Sequence, residues 1–331
     1  MRYVNFGKSA LKVSEFCLGT MSFGAGTDAA EADRIVKCAL DMGVNFFDTA
    51  NAYHDGASEE YLGRAIAGLR DQVIIATKAG SLLDAGEGIN DQGSSRYHIV
   101  GAVETSLRRL NTDRIDIYLV HMPHPGMNLE ETLRALDDLM RQGKILYAGC
   151  SNFPAWLLCK SLWVSDVRKL TSFICLQSVY NLIERGVEVE ILPLCHAEGL
   201  AVMSYRPMCA GVLSGRYSPG NIPEDYPNGA WVERFAGGIE RLRQFAQNRG
   251  KTAAQAALAW VRSHPVVTCP IVGVERADEL AGAIEAFDWH LTAAEREELA
   301  GYFGAEMTEH QIGVHAAWRT SYELIPRCFG T

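Results

Sequence analysis

Asp48, Tyr53, Lys78 and His121 supply a carboxylate, a phenol, an ammonium and an imidazole, and three of the four directly follow apolar runs. The stretch "NFFDTANAYHDG" at 45–56 takes Phe46 and Phe47 into Asp48 and then offers Tyr53. "VIIATK" ends in Lys78 and "IDIYLVH" in His121. A lysine that closes a buried strand has to find a partner. A free tyrosine titrates near about 10. A charged Lys78 beside Tyr53 is expected to favour the phenolate and lower that value, and a buried Asp48 to keep Lys78 charged and oriented. Such a tyrosine exchanges a proton with a carbonyl or alcohol oxygen, and His121 hydrogen-bonds the same oxygen. The redox step then needs a hydride carrier. Tyr205 would serve as an aromatic wall and Ser151, Asn152 and Gln177 as amide partners for a nicotinamide ring.

These side chains meet only if the elements carrying them converge. Eight strand candidates run along the chain: 15–20, 45–49, 73–78, 115–121, 145–151, 172–177, 200–205 and 269–274. They are apolar on both faces, as buried parallel strands are. Helical patterns lie between them. Over 28–42, Ile35, Cys38, Ala39 and Met42 share a face and Gly43 follows as a stop. Over 95–110, Ile99, Val103, Leu107 and Leu110 do the same. Asn128 with Glu131 reads as a capping box, Gly143 ends that helix, and Pro154 falls in the first turn of the next. The alternation predicts an α/β chain folded as a (β/α)8 TIM barrel, one domain over 1–331, with an N-terminal β-hairpin at 1–14 and a long tail at 303–331. The rival is a doubly wound sheet, but "GTMSFGAG" after the first strand is a poor dinucleotide fingerprint. Long connections at 79–97 and 206–236 follow strand ends, where barrel enzymes build their sites.

The net charge of −9 argues against nucleic acid as a partner. No apolar run has membrane-spanning length and no signal peptide is visible, so a cytoplasmic protein without membrane contact is expected. Nine cysteines, none in a C-x-x-C pair, read as reduced core thiols, Cys150 among them. His121 and His124 in "HMPH" have metal-ligand types, but no carboxylate cluster accompanies them and Pro123 disfavours an aligning helix; no metal is expected. Asp137, Asp138 and the "EREE" run at 295–298 read as solvated helix faces.

The segments "GVNFFDTANAYHDGASEEYLGRAI", "VIIATKAG", "IDIYLVH", "GKILYAGCSNF", "LQSVYNLIER" and "SYRPMCAGVLSGRY" together resemble the aldo-keto reductase superfamily. The pattern is most similar to its bacterial and potassium-channel-beta-subunit-like branches, over roughly residues 1–300. The resemblance implies the barrel and NAD(P)H-dependent interconversion of a small-molecule carbonyl (aldehyde, ketone or sugar) and its alcohol by direct hydride transfer. It places the catalytic tetrad on Asp48, Tyr53, Lys78 and His121, with Tyr53 as proton donor. The carboxamide contacts fall on Ser151, Asn152 and Gln177 and the stacking ring on Tyr205. Arg206 and Pro207 continue that wall, and Arg206 stands where the family often has a small residue. It is either an anion contact or a solvated arginine. Arg216 matches a pyrophosphate contact, and Thr20 and Met21 a backbone-lined edge of the cleft. Gly273, Glu275 and Glu279 fall at the adenosine end. The family norm there is NADP(H). Glu275 and Glu279 repel a 2′-phosphate and accept from a free ribose hydroxyl, which leans toward NAD(H). A cofactor-sensing regulatory subunit with little turnover is the alternative, a metal-dependent barrel hydrolase a third, and a homo-oligomer is compatible with the sequence.

Overall fold

The chain opens with two short antiparallel strands, β1 (Tyr3–Asn5) and β2 (Lys12–Ser14), as the hairpin expectation has it. In this computed structural model residues 1–81 and 88–304 are described. Eight further strands follow: β3 (Cys17–Gly19), β4 (Phe46–Asp48), β5 (Ile74–Ala79), β6 (Ile115–Val120), β7 (Ile145–Ser151), β8 (Cys175–Val179), β9 (Ala201–Tyr205) and β10 (Cys269–Gly273). They pair in parallel in chain order, and β10 returns to β3, so the sheet closes into a barrel. Helices α1 (Ala29–Asp41), α2 (Ala57–Ala65), α3 (Arg96–Arg109), α4 (Leu129–Arg141), α5 (Ala155–Arg168) and α6 (Ile191–Glu198) fill the connections up to β9. The long β9–β10 connection carries α7 (Gly229–Arg234), α8 (Ala236–Gln247) and α9 (Ala253–Arg262), and α10 (Ala277–Glu285) and α11 (Ala293–Ala300) close the described chain.

Strand side chains alternate, so each strand sends every second residue into the barrel. The interior cluster contains Cys17, Phe46, Ala76, Ile117, Leu119, Cys175, Met203 and Cys269. Two steps along from these lie Gly19, Asp48, Lys78, His121, Gln177, Tyr205 and Ile271. Gly149 also faces inward, because a Cβ there would meet the Cys175 sulfur at 2.3 Å, and Ser151 follows it by two. The candidate residues therefore share one inward-facing layer at the C-terminal mouth. The hairpin plugs the opposite end: Phe6 is fully buried, edge-on to Phe46 at 5.5 Å. That burial contributes about 2–3 kcal/mol. Gly7 makes it feasible, with φ +58° and a Cβ position only 2.6 Å from the Ala201 nitrogen.

Some local expectations are corrected. The sixth barrel strand begins at Cys175, later than expected; ahead of it Asp137 accepts from both the Thr171 N–H (2.9 Å) and the Thr171 hydroxyl (2.8 Å). Asp137 is thus buried and structural, not solvated. Asn128 caps α4, but Glu131 accepts from the Arg96 N–H at 2.9 Å instead of closing a box. Pro154 is the cap of α5, not its first turn. Residues 82–87 of the 79–97 connection, and the tail expected at 303–331 from residue 305 onward with His310, His315, Trp318, Arg319 and Tyr322, lie outside the described residues.

Candidate active site

Asp48, at the end of β4, and Lys78, near the end of β5, are both buried and form an ion pair of 2.6 Å. The Lys78 ammonium also donates to the Thr49 carbonyl at 2.7 Å and to the Tyr53 hydroxyl at 3.3 Å. Three acceptors satisfy its three N–H groups, which a buried ammonium requires. Tyr53 is reached by a short 3₁₀ turn, Tyr53–Gly56. Its ring lies 4.9 Å from the ammonium and meets the His121 ring edge-on at 6.1 Å. The four side chains expected together are brought together, and the Thr49 carbonyl is a partner that side-chain reasoning missed.

Burial by itself pulls the Lys78 ammonium down, but Asp48 and then Tyr53 more than reverse this, and its pKa stands above the ordinary lysine value. Lys78 is a fixed cation. Burial pushes the Asp48 carboxyl up, opposed by Lys78 and Gln177. For Tyr53 the expected downward shift is corrected. Burial of the hydroxyl raises its pKa, Lys78 pulls it back, Asp48 raises it again, and the result lies above the ordinary tyrosine value. The phenol is held protonated at neutral pH.

The amide-binding candidates are wired into this group. Gln177 donates to the other Asp48 oxygen at 2.7 Å, and Ser151 is buried beside Asn152. Asn152 donates to the His121 carbonyl at 3.1 Å and to the Ser151 hydroxyl at 2.9 Å, and accepts from the Tyr205 hydroxyl at 2.9 Å. Asn152 and Arg206 both adopt left-handed backbone (φ +64° and +54°) directly after their strands. Asparagine tolerates this; for arginine it costs about 1–2 kcal/mol. Asn181 offsets that by donating to the Arg206 carbonyl at 3.1 Å and to buried Glu184 at 2.7 Å. Arg206 is exposed, close enough to Tyr205, Cys209 and Tyr226 that its charge pulls their titrations down against burial. Pro207 is buried behind it.

Thr20 is committed to the wall. Its N–H and hydroxyl bond the Asp48 carbonyl (2.9 and 3.1 Å) and its carbonyl accepts from Ser58 at 2.7 Å. Met21 is exposed, its carbonyl 2.8 Å from His54 Nε2. Gly273 pairs with Gly19; a Cβ at Gly19 would meet the Ile271 side chain at 2.8 Å, whereas at Gly273 it would meet only the Gly19 carbonyl at 3.6 Å, so the rim is open at Gly273. At the rim beyond, Ser22 and Thr27 donate to the Val274 and Glu275 carbonyls. Glu279 folds back on the start of α10, accepting from the Glu275 N–H at 3.0 Å, and its other oxygen lies 3.5 Å from Arg216. Arg276 pairs with Asp278 at 2.8 Å. Both guanidiniums are thus matched by local carboxylates, while Glu275 is exposed.

Among the described residues no group of three or more His, Cys, Asp or Glu is placed to hold a metal ion. His124 instead contacts Ser94 and the Pro125 carbonyl. The described cysteines are free thiols, and burial pushes Cys150 well up. Among the described residues no helix is long and apolar enough to cross a membrane.

The chain matches the Aldo/keto reductase family over residues 15–302. Curated relatives include "Uncharacterized oxidoreductase YrpG" of Bacillus subtilis (strain 168), 36% identical over 298 residues, covering 87% of this chain and 91% of the relative. "Probable voltage-gated potassium channel subunit beta" of Arabidopsis thaliana is 36% identical over 303 residues, covering 87% and 92%. "Aldo-keto reductase YhdN" of the same Bacillus strain is 31% identical over 314 residues, covering 90% and 92%. A closed barrel and a match of this extent leave one conclusion: the chain belongs to the aldo/keto reductase family, in the reach shared by bacterial oxidoreductases and potassium-channel beta subunits, and is an oxidoreductase.

Proposed function

We propose that this chain, one domain over 1–331, interconverts a small carbonyl compound (aldehyde, ketone or sugar) and its alcohol, with a nicotinamide dinucleotide as redox partner. The observation that carries the reading is the Lys78 ammonium, which bridges buried Asp48 and the Tyr53 hydroxyl. The residues fit such a partner. The exposed rim at Gly273 is open ground that a side chain would narrow, and Tyr205 is a partly exposed aromatic pinned by its hydroxyl. Tyr205, Ser151, Asn152 and Gln177 would hold the nicotinamide, with Arg206 and Pro207 beside that wall, Thr20 and Met21 at the backbone-lined edge of the cleft, Arg216 at the diphosphate, and Gly273, Glu275 and Glu279 near the adenosine. Bound there, the reduced ring supplies the hydride.

In reduction Tyr53 gives its proton to the carbonyl oxygen as negative charge builds there, which completes the alcohol. The phenolate so formed is stabilised by Lys78, whose charge Asp48 balances. His121, edge-on to Tyr53, orients the same oxygen. In oxidation the phenolate takes the proton back. The family norm favours NADP(H). The paired state of Arg216 and Arg276 and the exposed Glu275 support use of NAD(H) as well. A Tyr53→Phe variant tests the reading: dinucleotide binding is expected to persist while carbonyl turnover drops by roughly 10³-fold or more. Wild-type turnover in that variant sinks it. The relatives named as channel beta subunits favour a second reading, a dinucleotide-sensing subunit. Tight dinucleotide binding with no turnover across a panel of aldehydes, ketones and sugars would select it.

A further inference from the structure

The chain enters α2 through three successive left-handed residues, His54 (φ +49°), Asp55 (φ +55°) and Gly56 (φ +96°). Glycine adopts that backbone freely, whereas for histidine and aspartate it costs about 1–2 kcal/mol each. Such strain persists where surrounding groups over-determine the backbone. Arg109, the last residue of α3, is that group. Its Nη1 donates to the Asn51 carbonyl at 3.1 Å and its Nη2 to the Asp55 carbonyl at 3.0 Å, and these two carbonyls flank Tyr53. Nη1 also lies 3.4 Å from Glu59 Oε2. Glu59 is fully buried and accepts at Oε1 from the Thr77 hydroxyl at 2.7 Å, and Thr77 directly precedes Lys78 on β5. The guanidinium fills the space beside Gly56: a Cβ there would sit 2.1 Å from its Cζ. A planar fork of donors engages two carbonyls and a carboxylate together, which the point charge of an ammonium does not.

We infer that Arg109 is a positioning residue for the proton donor. It clamps the Tyr53 loop and, through Glu59 and Thr77, ties that loop to the strand carrying Lys78, setting the phenol–ammonium distance. The inference rests on the reading of Tyr53 as proton donor. Arg109 touches none of the residues assigned to the dinucleotide, and its loop meets them only where His54 Nε2 lies 2.8 Å from the Met21 carbonyl, so its loss acts mainly on turnover.

The test compares wild type, Arg109→Ala and Arg109→Lys in full-length protein. The measurements are kcat and KM for an aromatic aldehyde with NADPH and NADH, NADPH binding by tryptophan fluorescence, and amide hydrogen exchange over residues 51–57. Arg109→Ala is expected to lower kcat by roughly 10- to 100-fold, as a displaced catalytic group does. KM and the dinucleotide Kd should move less than about threefold. Exchange over 51–57 should quicken, Arg109→Lys should recover part of kcat, and free guanidinium should restore part of it in Arg109→Ala. A folded Arg109→Ala with wild-type kcat and wild-type exchange overturns the inference. So does a loss of dinucleotide binding in step with kcat that guanidinium does not repair. If Arg109→Ala does not fold, Arg109→Lys carries the test, and wild-type kcat there is the overturning result. Failure of the underlying reading shows separately, as undiminished turnover in Tyr53→Phe, and the exchange measurement does not depend on it.

Discussion

Removing the Lys78 charge is the sharpest probe of the proposed chemistry, because two consequences separate. Its nitrogen lies 3.3 Å from the Tyr53 oxygen. At an effective dielectric of about 20, a unit charge at that distance stabilises a phenolate by about 5 kcal/mol. Asp48, 2.6 Å from the same nitrogen, takes back part of this. Roughly 2–3 kcal/mol then remains for the transition state if proton transfer is well advanced, equivalent to roughly 30- to 150-fold in rate. In Lys78→Met the buried Asp48 also loses its cation, which costs about 3–5 kcal/mol of stability. The double variant Asp48→Asn, Lys78→Met removes both charges and should regain most of that stability while staying as slow as Lys78→Met. The assay is kcat for aldehyde reduction beside denaturant unfolding of both variants, with the Tyr53 titration followed by ultraviolet difference spectra against Tyr53→Phe. The titration should move upward in both. If the double variant recovers turnover along with stability, Lys78 is a structural partner of Asp48 and the catalytic argument fails.

Further outcomes follow from the same geometry. Burial holds Tyr53 protonated, so carbonyl reduction should keep its rate through neutral pH and fall only above the ordinary tyrosine range of about 10, while alcohol oxidation, which needs the phenolate, should rise with pH; parallel profiles would contradict the assignment. Glu275→Lys should raise the NADPH-to-NADH ratio of kcat/KM by roughly 5- to 10-fold, the scale of one exposed charge reversal, measured with one aldehyde at fixed salt. Asp137→Ala strands the Thr171 N–H and should lower unfolding free energy by about 1–3 kcal/mol. Burial raises the Asp137 pKa, but the Thr171 bonds and Arg141 outweigh it and hold it below the ordinary value. Its contribution is therefore present at neutral pH and lost as pH falls through the acidic carboxylate range, so the gap between wild type and variant should narrow there.

The barrel was legible because its signals are local. Apolar runs of strand length recur with helical patterns between them, and a period of two fixes which residues face inward. That alone aligns Asp48, Lys78, His121, Gln177 and Tyr205 at one mouth, given the parallel closure. The motifs "NFFDTANAY", "VIIATK" and "IDIYLVH" carried the candidate tetrad, and a match over residues 15–302 agrees with the resemblance.

What the sequence could not decide depends on distances between residues far apart along it. Gln177 and Asp48 are 129 positions apart, and no spacing rule reveals that the amide is bonded to the carboxylate. The direction of the Tyr53 titration turns on burial of its hydroxyl, which competes with Lys78 and exists only once the barrel has closed. Asp137 looked solvated because helical periodicity marks a face without saying what packs on it. Arg109, which nothing in the sequence singles out, spans the carbonyls on either side of Tyr53 only because α3 lies against α2. Local chemistry thus named the reacting groups. Desolvation and long-range hydrogen bonds, both products of tertiary packing, set their charges and held them in place.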